Sequence, residues 1–253
     1  MPFVRGGELY KVFTSKKRFS EDTVIFYTAQ MAIAIGYLHA KGIVHRDLKL
    51  ENILVDQDGY IKIIDYGLAK MLSDDQEATS FCGTPEYLAP EMVNQSGHDK
   101  SVDWWALGVL AYEMLIGVTP FFNKNKNMLL MKIKNSKVIF PDRKKYKIDY
   151  SDTIMDLISR LLDKDKSKRL GSKDDYKEIL SHPVFKNLDL SKLQERALVP
   201  PFKPQINNSD DLEKYFNVNS SKAAMVDTFI PSENRKVVVQ NQDVFADFNS
   251  SKK

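Results

Sequence analysis

Two stretches of this chain read as helices that are apolar on almost every side, and a chain carrying two of them has few ways to fold. The first runs from Ser20 to about Ala40, with Val24, Ile25, Phe26, Met31, Ile33, Ile35 and Leu38 spread around the cylinder. The second, Asp99–Ile116, is ended by Gly117 and Pro120. A surface helix keeps a polar face, whereas one apolar all round must be covered on every side. The apolar runs within them, Val24–Leu38 and Trp104–Ile116 (the latter interrupted by Glu113), fall short of the ~18–20 residues of a membrane span. The cover therefore comes from other protein, and the expectation is a helical domain with 99–116 at its centre. A length of 253 residues is ample for such a core. Ser20 stands at the N-cap with Glu21 and Asp22 in the first turn, where acids suit the positive helix end, and Gly42 supplies the stop.

Around these two segments the pattern is mixed. A short helix is expected over 7–14, and others at 125–135, 151–162 and 174–181. The runs Ile53–Val55 and Tyr60–Ile64 flank Asp56-Gln57-Asp58-Gly59, and Asp-Gly between β-branched runs signals a hairpin. Residues 65–100 show no long period; a loop of that length in a compact domain is usually functional or disordered. After His182-Pro183 the texture changes to prolines and polar stretches, and 186–253 reads as an extended tail anchored at intervals by aromatic side chains. The expected class is mainly α, an α+β arrangement with one short β hairpin and an extended C-terminal tail.

Three segments carry the chemistry: His45-Arg46-Asp47-Leu48-Lys49-Leu50-Glu51-Asn52 after the first long helix, Asp65-Tyr66-Gly67 after the hairpin, and Gly83-Thr84-Pro85-Glu86-Tyr87-Leu88-Ala89-Pro90-Glu91. In order and setting they resemble the catalytic loop, metal-binding loop and substrate-docking segment of the eukaryotic protein kinases. The resemblance implies the protein-kinase fold, with ATP and Mg2+ as cofactors. It implies that Asp47 accepts the proton of the substrate hydroxyl, that Lys49 reaches toward the γ-phosphate, and that Asn52 and Asp65 offer hard oxygens to Mg2+. Lys49 and Gly83-Thr84-Pro85-Glu86 mark serine/threonine rather than tyrosine kinases, with Thr84 bonding near Asp47 and Lys49. Asp103 resembles the buried acid that braces the catalytic loop, and Glu91 with Arg169 the buried ion pair beneath the docking segment.

Val199-Pro200-Pro201-Phe202-Lys203-Pro204 and Phe245-Ala246-Asp247-Phe248 resemble the tail of the AGC kinases, nearest the protein kinase B-like branch. That divides the chain into a catalytic domain over 1–185 and a tail over 186–253. Ser80, before Phe81-Cys82-Gly83, takes the place of the activating phosphorylation site; an upstream kinase acting there would let the phosphate pair with Arg46. Glu8, Glu51 and Glu113 match positions that receive arginines preceding the target Ser/Thr, so protein substrates with basic residues near the acceptor are expected. Glu8 also matches a contact to the ATP ribose, and Leu54 the apolar floor under adenine. Each acid alone reads equally as a solvated surface group. Three departures stand out: Tyr66 where phenylalanine is usual, Asn249 where relatives carry a phosphorylatable residue, and poor surroundings for Phe216 as the aromatic that approaches the nucleotide.

The front of the chain, Met1–Leu9, looks like a hinge. The 11 glycines of the whole sequence give no G-x-G-x-x-G, and no Val-Ala-Ile-Lys-like strand is present. As written, the chain is a large lobe plus tail without the small lobe, and a fragment of an active kinase is expected. The alternative is a catalytically inactive module that binds protein partners or substrates. With 37 Lys+Arg against 34 Asp+Glu, charge gives no argument for nucleic acid. One Cys forms no internal disulfide, and the N-terminus lacks a signal-peptide pattern, so a soluble cytoplasmic protein without a transmembrane segment is expected.

Overall fold

The computed structural model describes residues 6–72 and 77–204. Helix α1 (Leu9–Lys16) leads into α2 (Glu21–His39), followed by strand β1 (Ile43–Val44), β2 (Ile53–Val55), β3 (Ile61–Ile63) and β4 (Lys70–Met71). Helices α3 (Pro90–Asn94), α4 (Ser101–Ile116), α5 (Lys126–Asn135), α6 (Arg143–Tyr146), α7 (Asp152–Leu161), α8 (Asp175–Leu180) and α9 (Leu190–Gln194) complete the described chain. The described chain is thus mainly helical, with a few short strands.

Helix α4 sits at the centre. Every residue from Ser101 to Leu115 is buried, including Trp104 and Trp105, and α4 packs on α2 and α7. All-round apolarity thus becomes all-round cover. Ser20 is the N-cap residue of α2, but its hydroxyl meets Thr23 Oγ1 (2.9 Å) and accepts no backbone N–H. Glu21 staples the two helix starts together instead: its carboxylate accepts Ser151 N (2.5 Å) and Ser151 Oγ (2.6 Å), where Ser151 caps α7.

The hairpin forms as expected, antiparallel with Ile53 opposite Ile63, Leu54 opposite Lys62 and Val55 opposite Ile61. Asp56 Oδ1 accepts the N–H groups of Asp58 and Tyr60, closing the turn. Gly59 has φ +84° there, and a Cβ on it would lie 2.3 Å from the carbonyl oxygen of Phe202. Glycine is required by the left-handed turn and by the chain that crosses it.

Two expectations change. Residues 65–100 are not one long irregular loop: β4 pairs with β1 (Ile43 opposite Met71, Val44 opposite Lys70), Ala78 bridges His98, and α3 forms on Pro90. The segment after 186 is not wholly extended either, because Asp189 caps α9 by accepting Lys192 N (3.0 Å). Beyond it the chain is held on the hairpin. Tyr60 OH donates to Leu198 O (2.9 Å), Arg196 pairs with Asp56, and Lys16 Nζ stands 5.6 Å from the centre of the Phe202 ring. Phe216, Phe245, Phe248, Asn249 and Ser250 lie outside the described residues.

Candidate active site

The segment from His45 to Asn52 leaves β1 and enters β2, and its shape is set from below by one carboxylate. Asp103, fully buried on α4, accepts His45 N at Oδ2 (2.8 Å) and Arg46 N at Oδ1 (2.9 Å). These bonds hold Arg46 in the left-handed region at φ 66°. His39 at the end of α2 in turn places Nε2 3.1 Å from Asp103 and Nδ1 3.1 Å from Asp175. Burial pulls the His39 pKa down, but bonds to the two carboxylates outweigh it and hold it above the usual value. Asp103 is pushed up by burial and held below the ordinary carboxylate range by His39. His45 is oriented as well: Asp47 N donates to its Nδ1 (3.3 Å), which leaves Nε2–H to donate to Ile64 O (3.1 Å).

Asp47 follows at 4 % exposure. Its Oδ1 accepts Thr84 N (3.0 Å) and Thr84 Oγ1 (2.9 Å); its Oδ2 lies 3.1 Å from Lys49 Nζ and 3.2 Å from Asn52 Nδ2. Lys49 Nζ also donates to Thr84 Oγ1 (3.1 Å), and Asn52 Nδ2 to Asp47 O (2.8 Å). Three side chains from two segments therefore meet on one carboxylate. With its amide nitrogen turned to Asp47, Asn52 keeps its side-chain oxygen for other partners. Asp65 is brought beside it because Asn52 O accepts Ile64 N (2.9 Å), one residue earlier. Asp65 is exposed, has φ 60°, and accepts Gly67 N at Oδ1 (3.2 Å). One amide oxygen and one carboxylate form a donor set that fits Mg2+, which commonly takes one or two protein oxygens together with phosphate oxygens. No group of three or more His, Cys, Asp or Glu suited to a metal occurs among the described residues.

The chain matches the family described as protein kinase domain over residues 1–185. It belongs to that family. It is 43% identical over 219 residues to the RAC serine/threonine-protein kinase of Drosophila melanogaster, covering 86% of this chain and 35% of that protein. It is 46% identical over 209 residues to the serine/threonine-protein kinase sgk-1 of Caenorhabditis elegans, covering 82% and 44%. To the human cAMP-dependent protein kinase catalytic subunit PRKX it is 44% identical over 216 residues, covering 85% and 58%. The chain thus spans roughly a third to three fifths of the length of these relatives.

In this kinase chain a second, acidic group stands beside the Asp47 cluster. Glu8 forms an isolated bridge with Leu54, which is 7 % exposed. Glu8, Glu51 and Glu113 all act on the Tyr10 phenol, whose pKa is raised first by burial and then by these three charges. Glu51 is raised by burial, then by Glu8 and Asp47, and its Oε2 is buried with no hydrogen-bond partner among the described residues. Glu113 is raised to about 7 by burial, with Glu51 and Glu86 adding to the shift, although Tyr87 OH donates to its Oε2 (2.5 Å). Carboxylates that raise one another's pKa, one of them with a buried oxygen lacking a hydrogen bond among the described residues, suit a cation.

Beneath the docking segment, Arg169 is fully buried and grips Glu91 with both ends, Nη1–Oε1 at 2.6 Å and Nη2–Oε2 at 2.9 Å. Ser80 Oγ accepts Arg46 Nη1 at 2.8 Å. Sequence reasoning missed His39, Asp175, Tyr10 and Tyr87. Tyr87 had a signal, since it lies inside the docking segment; the partners of the other three are set by the fold alone. No described helix is long and apolar enough to cross a membrane.

Proposed function

We propose that the chain is the helical large lobe and C-terminal tail, 1–185 and 186–253, of a serine/threonine protein kinase that transfers the γ-phosphate of ATP to protein hydroxyls. The observation that carries the reading is the Asp47 carboxylate, fixed at Oδ1 by Thr84 and at Oδ2 by Lys49 and Asn52. Phosphoryl transfer asks the protein chiefly for positioning and charge. Asp47 orients the acceptor hydroxyl and takes its proton; the Lys49 ammonium faces the charge on the transferred phosphoryl group. Asn52 and Asp65 are the residues that would hold Mg2+, whose contribution is to neutralise phosphate charge. Leu54 underlies the adenine, and Glu8 meets the ribose.

Substrate preference follows from the acids. Glu8, Glu51 and Glu113 receive arginine or lysine side chains that precede the target, and the unpaired Oε2 of Glu51 supports this. An upstream kinase phosphorylates Ser80, whose hydroxyl lies on Arg46. The second reading, a binding module without catalysis, draws on the lack of G-x-G-x-x-G in these 253 residues. The test is transfer from MgATP to an arginine-rich serine peptide by the native protein, captured with an antibody to residues 186–204. Transfer that stops on chelation of Mg2+ is expected. Peptide binding with no transfer refutes the enzyme reading in favour of the binding module.

A further inference from the structure

The segment that carries Ser80 runs beside the turn before α4. Ala78 N donates to His98 O (2.8 Å) and His98 N to Ala78 O (2.9 Å), so His98 is fixed next to the strand that reaches Ser80 two residues later. His98 is 1 % exposed, and its Nε2 has no hydrogen-bond partner among the described residues. A buried ring nitrogen left unpaired is uncommon and calls for a reason.

Two cations act on this histidine. Arg46 donates from Nη1 to Ser80 Oγ (2.8 Å) and from Nε to Leu68 O (2.7 Å), and Lys70 pairs on the backbone with Val44, two residues before Arg46. Neither forms an ion pair with a carboxylate among the described residues. The charged groups around His98 are Arg46, Lys70 on β4, Glu91 on α3 and Asp99 next in the chain; burial first, then Arg46 and Lys70, take its pKa down to about 4 against the two acids. Arg46, which holds the Ser80 hydroxyl, and Lys70 both act on a buried imidazole that lacks a partner among the described residues and is pinned to Ala78, two residues before Ser80.

We propose that His98 joins Arg46 and Lys70 as a third ligand of a phosphate monoester on Ser80, taking up a proton when that dianion arrives. The inference rests on the reading of Ser80 as a phosphorylation site. In that step Ser80 Oγ bonds to the γ-phosphorus of ATP on an upstream kinase, the bond to ADP breaks, and the hydroxyl proton leaves through that kinase's base. The phosphate brings ~1.5–2 negative charges, which offset the two cations that add to burial in lowering the His98 pKa. His98 then draws its proton from solvent and donates to a phosphate oxygen. The phosphorylated arrangement is therefore favoured as pH falls toward the imidazole range.

The experiment is an NMR titration of the full chain with phosphoserine installed at position 80 during translation, beside the unphosphorylated chain. The His98 ring pKa is expected to rise by about 1–3 units on phosphorylation. The phosphorus resonance should show an inflection at the same pH, lost in His98→Gln. Equal His98 titration in the two forms, which needs no variant, overturns the proposal. So does a phosphate that titrates alike in the wild type and in a His98→Gln chain whose melting is normal. Mass analysis of the native protein tests the underlying reading separately: no phosphate on Ser80 in cells would remove the regulatory role, while the titration still decides the ligand chemistry.

Discussion

Replacing Arg169 by leucine takes away one half of a buried ion pair and leaves the other in place. Arg169 is fully buried, and Glu91 is 6 % exposed. The two bidentate bonds, 2.6 and 2.9 Å, are joined by Arg169 Nη1 to Ser101 O (3.0 Å) and Nε to Asp163 O (3.1 Å). The variant therefore strands a carboxylate and two carbonyls. Breaking a buried pair on one side costs about 3–5 kcal/mol. At about 2–4 °C per kcal/mol for a chain of this size, melting should fall by roughly 6–20 °C. Urea unfolding of the full chain gives the free energy directly, and Glu91→Met/Arg169→Leu gives the coupling, because the double variant leaves no unpaired charge. It should recover well over half of the loss. A second reading comes from Lys164, whose ammonium lies 3.9 Å from the Phe121 ring centre and whose pKa is lowered to about 8 by burial and then by Arg169. That pKa should rise in Arg169→Leu and be visible as slower acylation of Lys164 at pH 8. A loss below about 1 kcal/mol, the size of an exposed pair, or a double variant as weak as the sum of the singles, would refute the reasoning.

Glu113 should set the pH dependence of substrate recognition. With its pKa raised to about 7, the carboxylate gains a proton as pH falls through neutrality, so KM for an arginine-rich peptide should rise on that side and stay flat in Glu113→Gln. The same group has a stability sign: a pKa raised from 4.5 means the folded chain binds more protons than the unfolded one, so stability falls as pH climbs from 4.5 to about 7. Glu113→Gln should therefore melt higher than wild type at pH 8, and a lower melting point there contradicts the assignment. Gly59→Ala should destabilise by about 1–3 kcal/mol, because φ +84° and the Phe202 carbonyl 2.3 Å from the new Cβ both oppose it; limited proteolysis should cut first within 196–204, and unchanged protection would show that the crossing chain is held elsewhere.

The parts of the fold legible in the sequence are those whose signal is local and strong. Helices α2 and α4 declare themselves by apolar residues on all sides, and the hairpin by Asp58-Gly59 between β-branched runs. The β1–β4 pair has no such mark, since two residues carry no period, and α9 is five residues long with its signal in one cap, Asp189. In the site, Asp47, Lys49 and Asn52 lie within six residues, and Thr84 meets them through the docking segment. The support of the loop is different in kind. Asp103 reaches His45 across 58 residues, and His39 reaches Asp175 across 136, through a buried network that exists only once α2, α4 and α8 have packed. The resemblance of its segment points to Asp103 as that brace, but nothing in the spacing marks His39 or Asp175.

Everything proposed for the reaction converges on one carboxylate, and Asp47→Asn in the native full-length protein tests it. The side chain keeps its size, and Asp103 still holds the loop backbone, so peptide and nucleotide binding should stay within about threefold while single-turnover transfer from MgATP drops by ~10²–10⁴-fold. A transfer rate within threefold of wild type would mean that the group which takes the hydroxyl proton lies elsewhere.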